Sequence, residues 1–173
     1  MIMPRGSDQL LLPVNPLFIG FTLIFALVLN MVPLGRNPAM PDLLALVLVF
    51  WTVHQPRRVG MLTAFMLGLA MDVHESALLG QNALAYICLS HLANLIHRRV
   101  LWFPLREQTL QVLPLFVVAA VIEWLTRLIT QDAWPHWPQL IAPFLQTALW
   151  PVFGHVLLAP QRRPVDRDDI RPL

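Results

Sequence analysis

A chain of 173 residues with 57% hydrophobic and only 13% charged side chains, a formal net charge of +2 and a mean hydropathy of +0.61 does not have the make-up of a soluble domain, where about a quarter of residues are charged. Its small net charge argues against binding nucleic acid by neutralising phosphates. Cys88, the single cysteine, lies in an apolar run, so neither an intrachain disulfide nor a cysteine-based metal site is available.

Residues 1–13 are polar with one cation, Arg5. From Val14 to Leu34 the chain is uncharged, broken only by Asn15 and Asn30. No small-x-small cleavage site follows and more apolar segments come after, which predicts an uncleaved first span rather than a signal peptide. Gly35–Pro41 is dense in turn formers and predicts a connection. Leu43–Val53 is a short apolar run, about 16 Å as a helix against a hydrocarbon core of roughly 30 Å. It and its equally short successor Val59–Met71 reach spanning length only as 41–55 and 58–73, with their end charges snorkelling.

Ala77–Ile96 predicts a full-length fourth span. Gln81, Asn82, Ser90 and Asn94 make it more polar than a lipid-facing helix should be, which places it inside a bundle. Arg98-Arg99 then opens a basic linker to Glu107, with Trp102 at an interface. Residues 110–130 predict a fifth span, interrupted by Pro114, Glu123 and Arg127. Trp134 and Trp137, flanking His136, suit a headgroup boundary. Residues 139–158 predict a sixth span, kinkable at Pro143 and Pro151. The charged, proline-rich stretch 160–173 predicts a disordered cytoplasmic tail. The expected architecture is an all-α integral membrane protein: one transmembrane domain, 1–159, folded as a six-helix bundle with spans near 14–34, 41–55, 58–73, 77–96, 110–130 and 139–158.

All twelve basic residues are arginine. With six spans, one side receives Arg5, Arg57, Arg58, Arg98, Arg99, Arg106 and the four tail arginines, and the other only Arg36 and Arg127. Ten against two is a strong positive-inside bias and predicts both termini in the cytoplasm. A four-span arrangement weakens the bias to eight against four.

Gly60, Ala64, Gly68 and Asp72 recur every four residues, so a helix aligns them on one seam. Small residues so placed let a second helix approach closely, either from the same chain or from a partner. Asp72, His74 and Glu75 could meet a divalent ion, but acidic residues at a helix end are ordinary turn formers and no further ligand is evident. Glu123 and Arg127, four apart with the acid first, predict an intramembrane ion pair. Glu123 would lie ~20 Å along its span, where a carboxylate is costly and a functional or partner-contact role is the default. Ser76 and Ser90 lack a glycine-framed elbow, and no metal-binding, phosphate-loop or redox motif occurs. The residues point to no enzyme, cofactor or metal.

The sequence Pro41-Asp42-Leu43-Leu44 leading into Phe50-Trp51, then Pro56-Arg57-Arg58-Val59-Gly60, Gly68-Leu69-Ala70-Met71-Asp72-Val73 and Leu79-Gly80-Gln81-Asn82-Ala83-Leu84-Ala85-Tyr86, resembles the bacterial rod shape-determining MreD family. The chain departs from that pattern at His74-Glu75, where small or neutral residues are expected. The resemblance implies a non-enzymatic inner-membrane subunit of the cell-elongation complex. Its expected partners are an MreC-like bitopic protein, the MreB filament, and a RodA-type glycosyltransferase with its transpeptidase. It also implies a fold similar to the substrate-binding components of energy-coupling-factor vitamin transporters, and hence an alternative: a small-molecule uptake subunit. That alternative needs a polar pocket open outward between helices. An intramembrane enzyme would need ionisable groups converging at one depth.

Overall fold

The computed structural model describes residues 14–32, 40–131 and 137–161. Residues 35–39 of the expected connection, the aromatic boundary residues Trp134 and His136, the tail from Arg162 onward, and Arg5 and Arg36 lie outside the described residues. Within them the protein is all helical: α1 (Pro16–Met31), α2 (Leu43–His54), α3 (Met61–Glu75), α4 (Gln81–Leu101), α5 (Leu105–Gln131) and α6 (Ala142–Leu158), with short 3₁₀ turns at Trp137–Leu140 and Ala159–Gln161.

Local chemistry explains where these helices start and stop. Asn15 caps α1 by accepting from the Leu17 N–H, and Pro16 occupies the first turn, where its missing N–H costs nothing. Asp42 caps α2 through the Ala45 N–H. The α3 helix ends at Ser76 in the left-handed region, and α4 starts after Gly80, also left-handed at φ 103°. A glycine is the residue that holds such a φ without strain. Two helices outrun their apolar runs. Arg98 and Arg99 form the last turn of α4 rather than opening a linker, and cations there complement the helix dipole. Helix α5 starts at Leu105, taking in Arg106 and Glu107, so the connection shrinks to Trp102–Pro104.

The bundle is organised around α2. All ten residues from Leu44 to Val53 are buried, because α1, α4 and α6 surround the helix. A helix apolar on every face belongs in a core of this kind. Helix α3 packs chiefly on α4, α4 also on α5, and α5 on α6. Helix α1 meets α3 only lightly, and between them runs an open groove of about 490 Å³ lined by Pro16, Ile19, Gly20, Leu23, Arg58 and Thr63. Two helical segments, Leu105–Thr130 and Pro138–Gln161, are long and apolar enough to cross a membrane, and α1 and α2 are shorter apolar helices.

Burial sets the stability cost of truncation. Leu48 is fully buried and Ile24 on α1 is 61% exposed. Leu48→Ala should destabilise the purified protein by about 2–5 kcal/mol, and Ile24→Ala by less than about 1 kcal/mol. Unfolding by denaturing detergent titrated into mild micelles measures both.

Candidate functional site

Successive helices run antiparallel, which gathers the charged residues at two ends. At one end stand Arg57, Arg58, Arg98, Arg99 and Arg106, and the Arg58 guanidinium there donates to the Val14 carbonyl at 2.6 Å. The opposite end holds Asp42, Asp72 and Glu75 with Arg127. Polar contacts concentrate at this acidic end.

Asp72 lies in the last turn of α3 and is completely buried. One of its carboxylate oxygens accepts from the Asn82 N–H at 2.7 Å; the other accepts from the Gly80 N–H at 2.8 Å and the Ala83 N–H at 3.5 Å. The first N–H groups of a helix have no partner within it, and Gly80 has no side chain to serve as a cap. Asp72 therefore caps α4 from the preceding helix, with its negative charge at the positive end of the α4 dipole. Glu75, one turn on, accepts from the Asn82 amide at 3.3 Å.

Close helix approach makes this reach possible. A Cβ built on Gly68 would lie 2.7 Å from the Ala83 nitrogen and 3.0 Å from the Asn82 carbonyl carbon, so only glycine lets the α3 and α4 backbones touch there. Ala64 is buried one turn earlier. Gly60 stands apart from these three: it precedes α3 as its N-cap, and no atom lies within 4 Å of where its Cβ would be. Ala64, Gly68 and Asp72 thus face α4 of the same chain.

Glu123 and Arg127 do not form the expected ion pair. The Arg127 guanidinium instead lies 3.7 Å from a Glu75 carboxylate oxygen, with both side chains about one-third exposed. Spacing of i, i+4 brings two side chains to one helix face but does not set which way the longer one extends. Arg127 sits a turn nearer the end of α5, where Glu75 of α3 is within reach. Asp72, His74 and Glu75 also fail to converge: Asp72 is taken up by α4, Glu75 by Asn82 and Arg127, and His74 is exposed. Among the described residues no group of three His, Cys, Asp or Glu side chains could hold a metal ion.

Sequence reasoning gave Asp42 no role beyond marking a boundary. Its side chain accepts from Ala45 N–H, from the Asn30 amide and from the Tyr86 hydroxyl, while its carbonyl accepts from Gln146 at 3.2 Å. The Asn30 side-chain oxygen accepts in turn from the Leu43 N–H. One residue thereby joins α1, α2, α4 and α6. The available signal was Asp42 standing directly before an apolar run, the mark of an N-cap; its partners, up to 104 positions away, left none. Other polar ties run deeper in the bundle, from the Trp51 indole to Thr22 at 2.8 Å and from the Trp150 indole to Gln108 at 3.2 Å. These groups hold helices together.

The family model described as rod shape-determining protein MreD matches residues 11–158. The chain is similar to the rod shape-determining protein MreD of Haemophilus influenzae, 30% identical over 136 residues, which cover 76% of this chain and 81% of that protein. No solved structure matches, so the expected likeness to vitamin-transporter components has no support.

Two substitution pairs probe this corner. Gly68→Leu should sharply lower the yield of folded protein, since its side chain meets the Ala83 backbone. Gly20→Leu, where a Cβ meets open space, should leave the yield unchanged; size-exclusion chromatography in mild detergent reads both. A double-mutant cycle on Glu75 and Arg127 should give a coupling of about 0.2–1 kcal/mol, as for part-exposed pairs.

Proposed function

Since the chain belongs to the rod shape-determining MreD family, we propose that it is a noncatalytic inner-membrane subunit of the bacterial cell-elongation complex. It couples an MreC-like bitopic protein, and through it the MreB filament, to wall synthesis by a RodA-type glycosyltransferase and its transpeptidase. The single observation that carries this proposal is the reach of the family match, which takes in all six helices. The site geometry favours a structural role, because its ionisable groups are engaged in capping and in joining helices.

In the membrane the six helices each cross, with both termini cytoplasmic. Support comes from the charges: the end bearing Arg57, Arg58, Arg98, Arg99 and Arg106 matches the cytoplasmic side, and the end with Asp42, Asp72 and Glu75 the outer side. The short α2 is shielded by its neighbours, so it need not match the bilayer thickness itself. The uptake-subunit alternative is not favoured. The 490 Å³ groove between α1 and α3 has a mainly apolar wall and includes Arg58 of the arginine-rich end, whereas uptake requires a polar pocket facing outward.

Depleting the protein should turn rod-shaped cells round, and re-expression should restore them; cells that stay rod-shaped would refute the role. Orientation is tested in a Cys88→Ala background. A cysteine at Ser76 should react with an impermeant maleimide applied to intact cells, and one at Arg162 should react only after lysis. The reverse pattern excludes the proposed topology.

A further inference from the structure

The outward face of α4 is unlike the rest of the bundle surface. Elsewhere the exposed stripes are apolar: Leu17, Phe21, Ile24 and Phe25 on α1, and Leu110, Val118, Leu125 and Ile129 on α5. Leu84 and Leu95 on α4 are exposed at 47% and 65%, but His91, Asn94 and Arg98 are exposed beside them. Helix α4 has 21 residues, about 30 Å, yet it is absent from the helices apolar enough to cross a membrane. Of its inward polar groups, Asn82 is matched by Glu75, Tyr86 by Asp42 and Ser90 by Thr52 at 3.5 Å, whereas the buried Gln81 amide has no hydrogen-bond partner among the described residues. Among the described residues no protein group hydrogen-bonds the side chains of His91 and Asn94. His91 lies ten residues from either end of α4, about 15 Å deep, beyond the reach of snorkelling.

Resting on the membrane reading above, we infer that this face, from Leu84 to Arg98, is covered by a single transmembrane helix of a different polypeptide that offers hydrogen-bonding side chains to His91 and Asn94. Lipid tails have no donors or acceptors, and backbone crosses the hydrocarbon core beside such a face only as helix. Interhelical hydrogen bonds are one of the forces that join helices there. Charge excludes a second copy of this chain. A two-fold axis along the membrane normal would set Arg98 of one α4 against Arg98 of the other, with Arg99 alongside. The stripe ends at a groove of about 340 Å³ lined by Arg98, Arg99, Trp102 and Phe103, whose almost wholly apolar wall of aromatic rings and arginine stems suits an apolar side chain at the end of the partner helix.

The test is photocrosslinking in living cells, with benzoylphenylalanine replacing Leu84 or Leu95 in the full chain, and Phe21 or Ile129 as controls. The expected result is an adduct at 84 and 95 but not at the controls. Its peptide should map to a membrane-crossing helix of a different protein with a polar side chain at that depth. His91→Leu together with Asn94→Leu should leave the membrane level unchanged, since leucine favours the bilayer, and lower the adduct at 95 by at least about tenfold. If the double variant accumulates poorly, Asn94→Leu alone is read in the same way. An adduct of two copies of this chain, equal adducts at the controls, no protein adduct at all, or an adduct indifferent to the leucine substitutions overturns the inference. Cell shape separates the two proposals. Rod shape kept on depletion, with the α4 adduct formed in cells that express the chain, would remove the shape role and keep this surface; rounding on depletion with no adduct in expressing cells would do the opposite.

Discussion

Backbone contact between α3 and α4 at Gly68 and Ala83 is the constraint from which the acidic end of the bundle follows. With the two helices that close, the last turn of α3 lies beside the first turn of α4, and the Asp72 carboxylate meets three N–H groups that have no helical partner. Glu75 is carried to Asn82 by the same geometry and then to Arg127 on α5. A side chain at position 68 would part the helices and remove all of these contacts together. Each is modest alone, a cap contributing about 0.5–2 kcal/mol, so their value lies in being set by a single approach.

Asp42 is the matching device for the other helices. The buried α2 has no charged residue within it, and its N-terminal cap is also the point where α1, α4 and α6 are tied. Apolar packing against lipid-like neighbours is poorly directional, since a leucine face fits many helices about equally well. A carboxylate with three donors around it fits one arrangement. The indole bonds of Trp51 and Trp150 add the same kind of selectivity further along the bundle. Such bonds contribute about 0.6–2 kcal/mol each in membrane proteins, enough to choose among packings of similar apolar area.

Six helical segments were legible in the sequence as apolar runs, and Asp42 marked the start of one, but the fourth run was read from Ala77 whereas α4 starts at Gln81, behind the left-handed Gly80. The four-residue period of Ala64, Gly68 and Asp72 was legible too, although period alone could not say whether the facing helix came from this chain or another. What stayed hidden depended on distance along the chain or on direction in space. Charge at Arg98-Arg99 looked like the end of a helix, but long basic side chains extend into water while the backbone continues. The i, i+4 rule matched Arg127 with Glu123 because it counts only neighbours on one helix, and Glu75 lies on another. Hydropathy could not tell α2, surrounded by protein, from α1, which exposes Phe21 and Ile24, since lipid tails and a protein core are equally apolar.

The origin of the α4 cap bears on how the chain is assembled during synthesis. Helix α4 starts without a side-chain cap of its own, and its Gln81, Asn82, His91 and Asn94 make it a poor candidate to partition into lipid alone. The carboxylate that completes its first turn belongs to α3, which leaves the ribosome earlier. Helix α3 can therefore wait in the membrane as a preformed receptor, and α4 joins it through a five-residue reversal, Ser76–Gly80, that lets the two close as a hairpin. On the proposed topology, the unit of membrane insertion in this region is the pair, held at the backbone contact between Gly68 and Ala83.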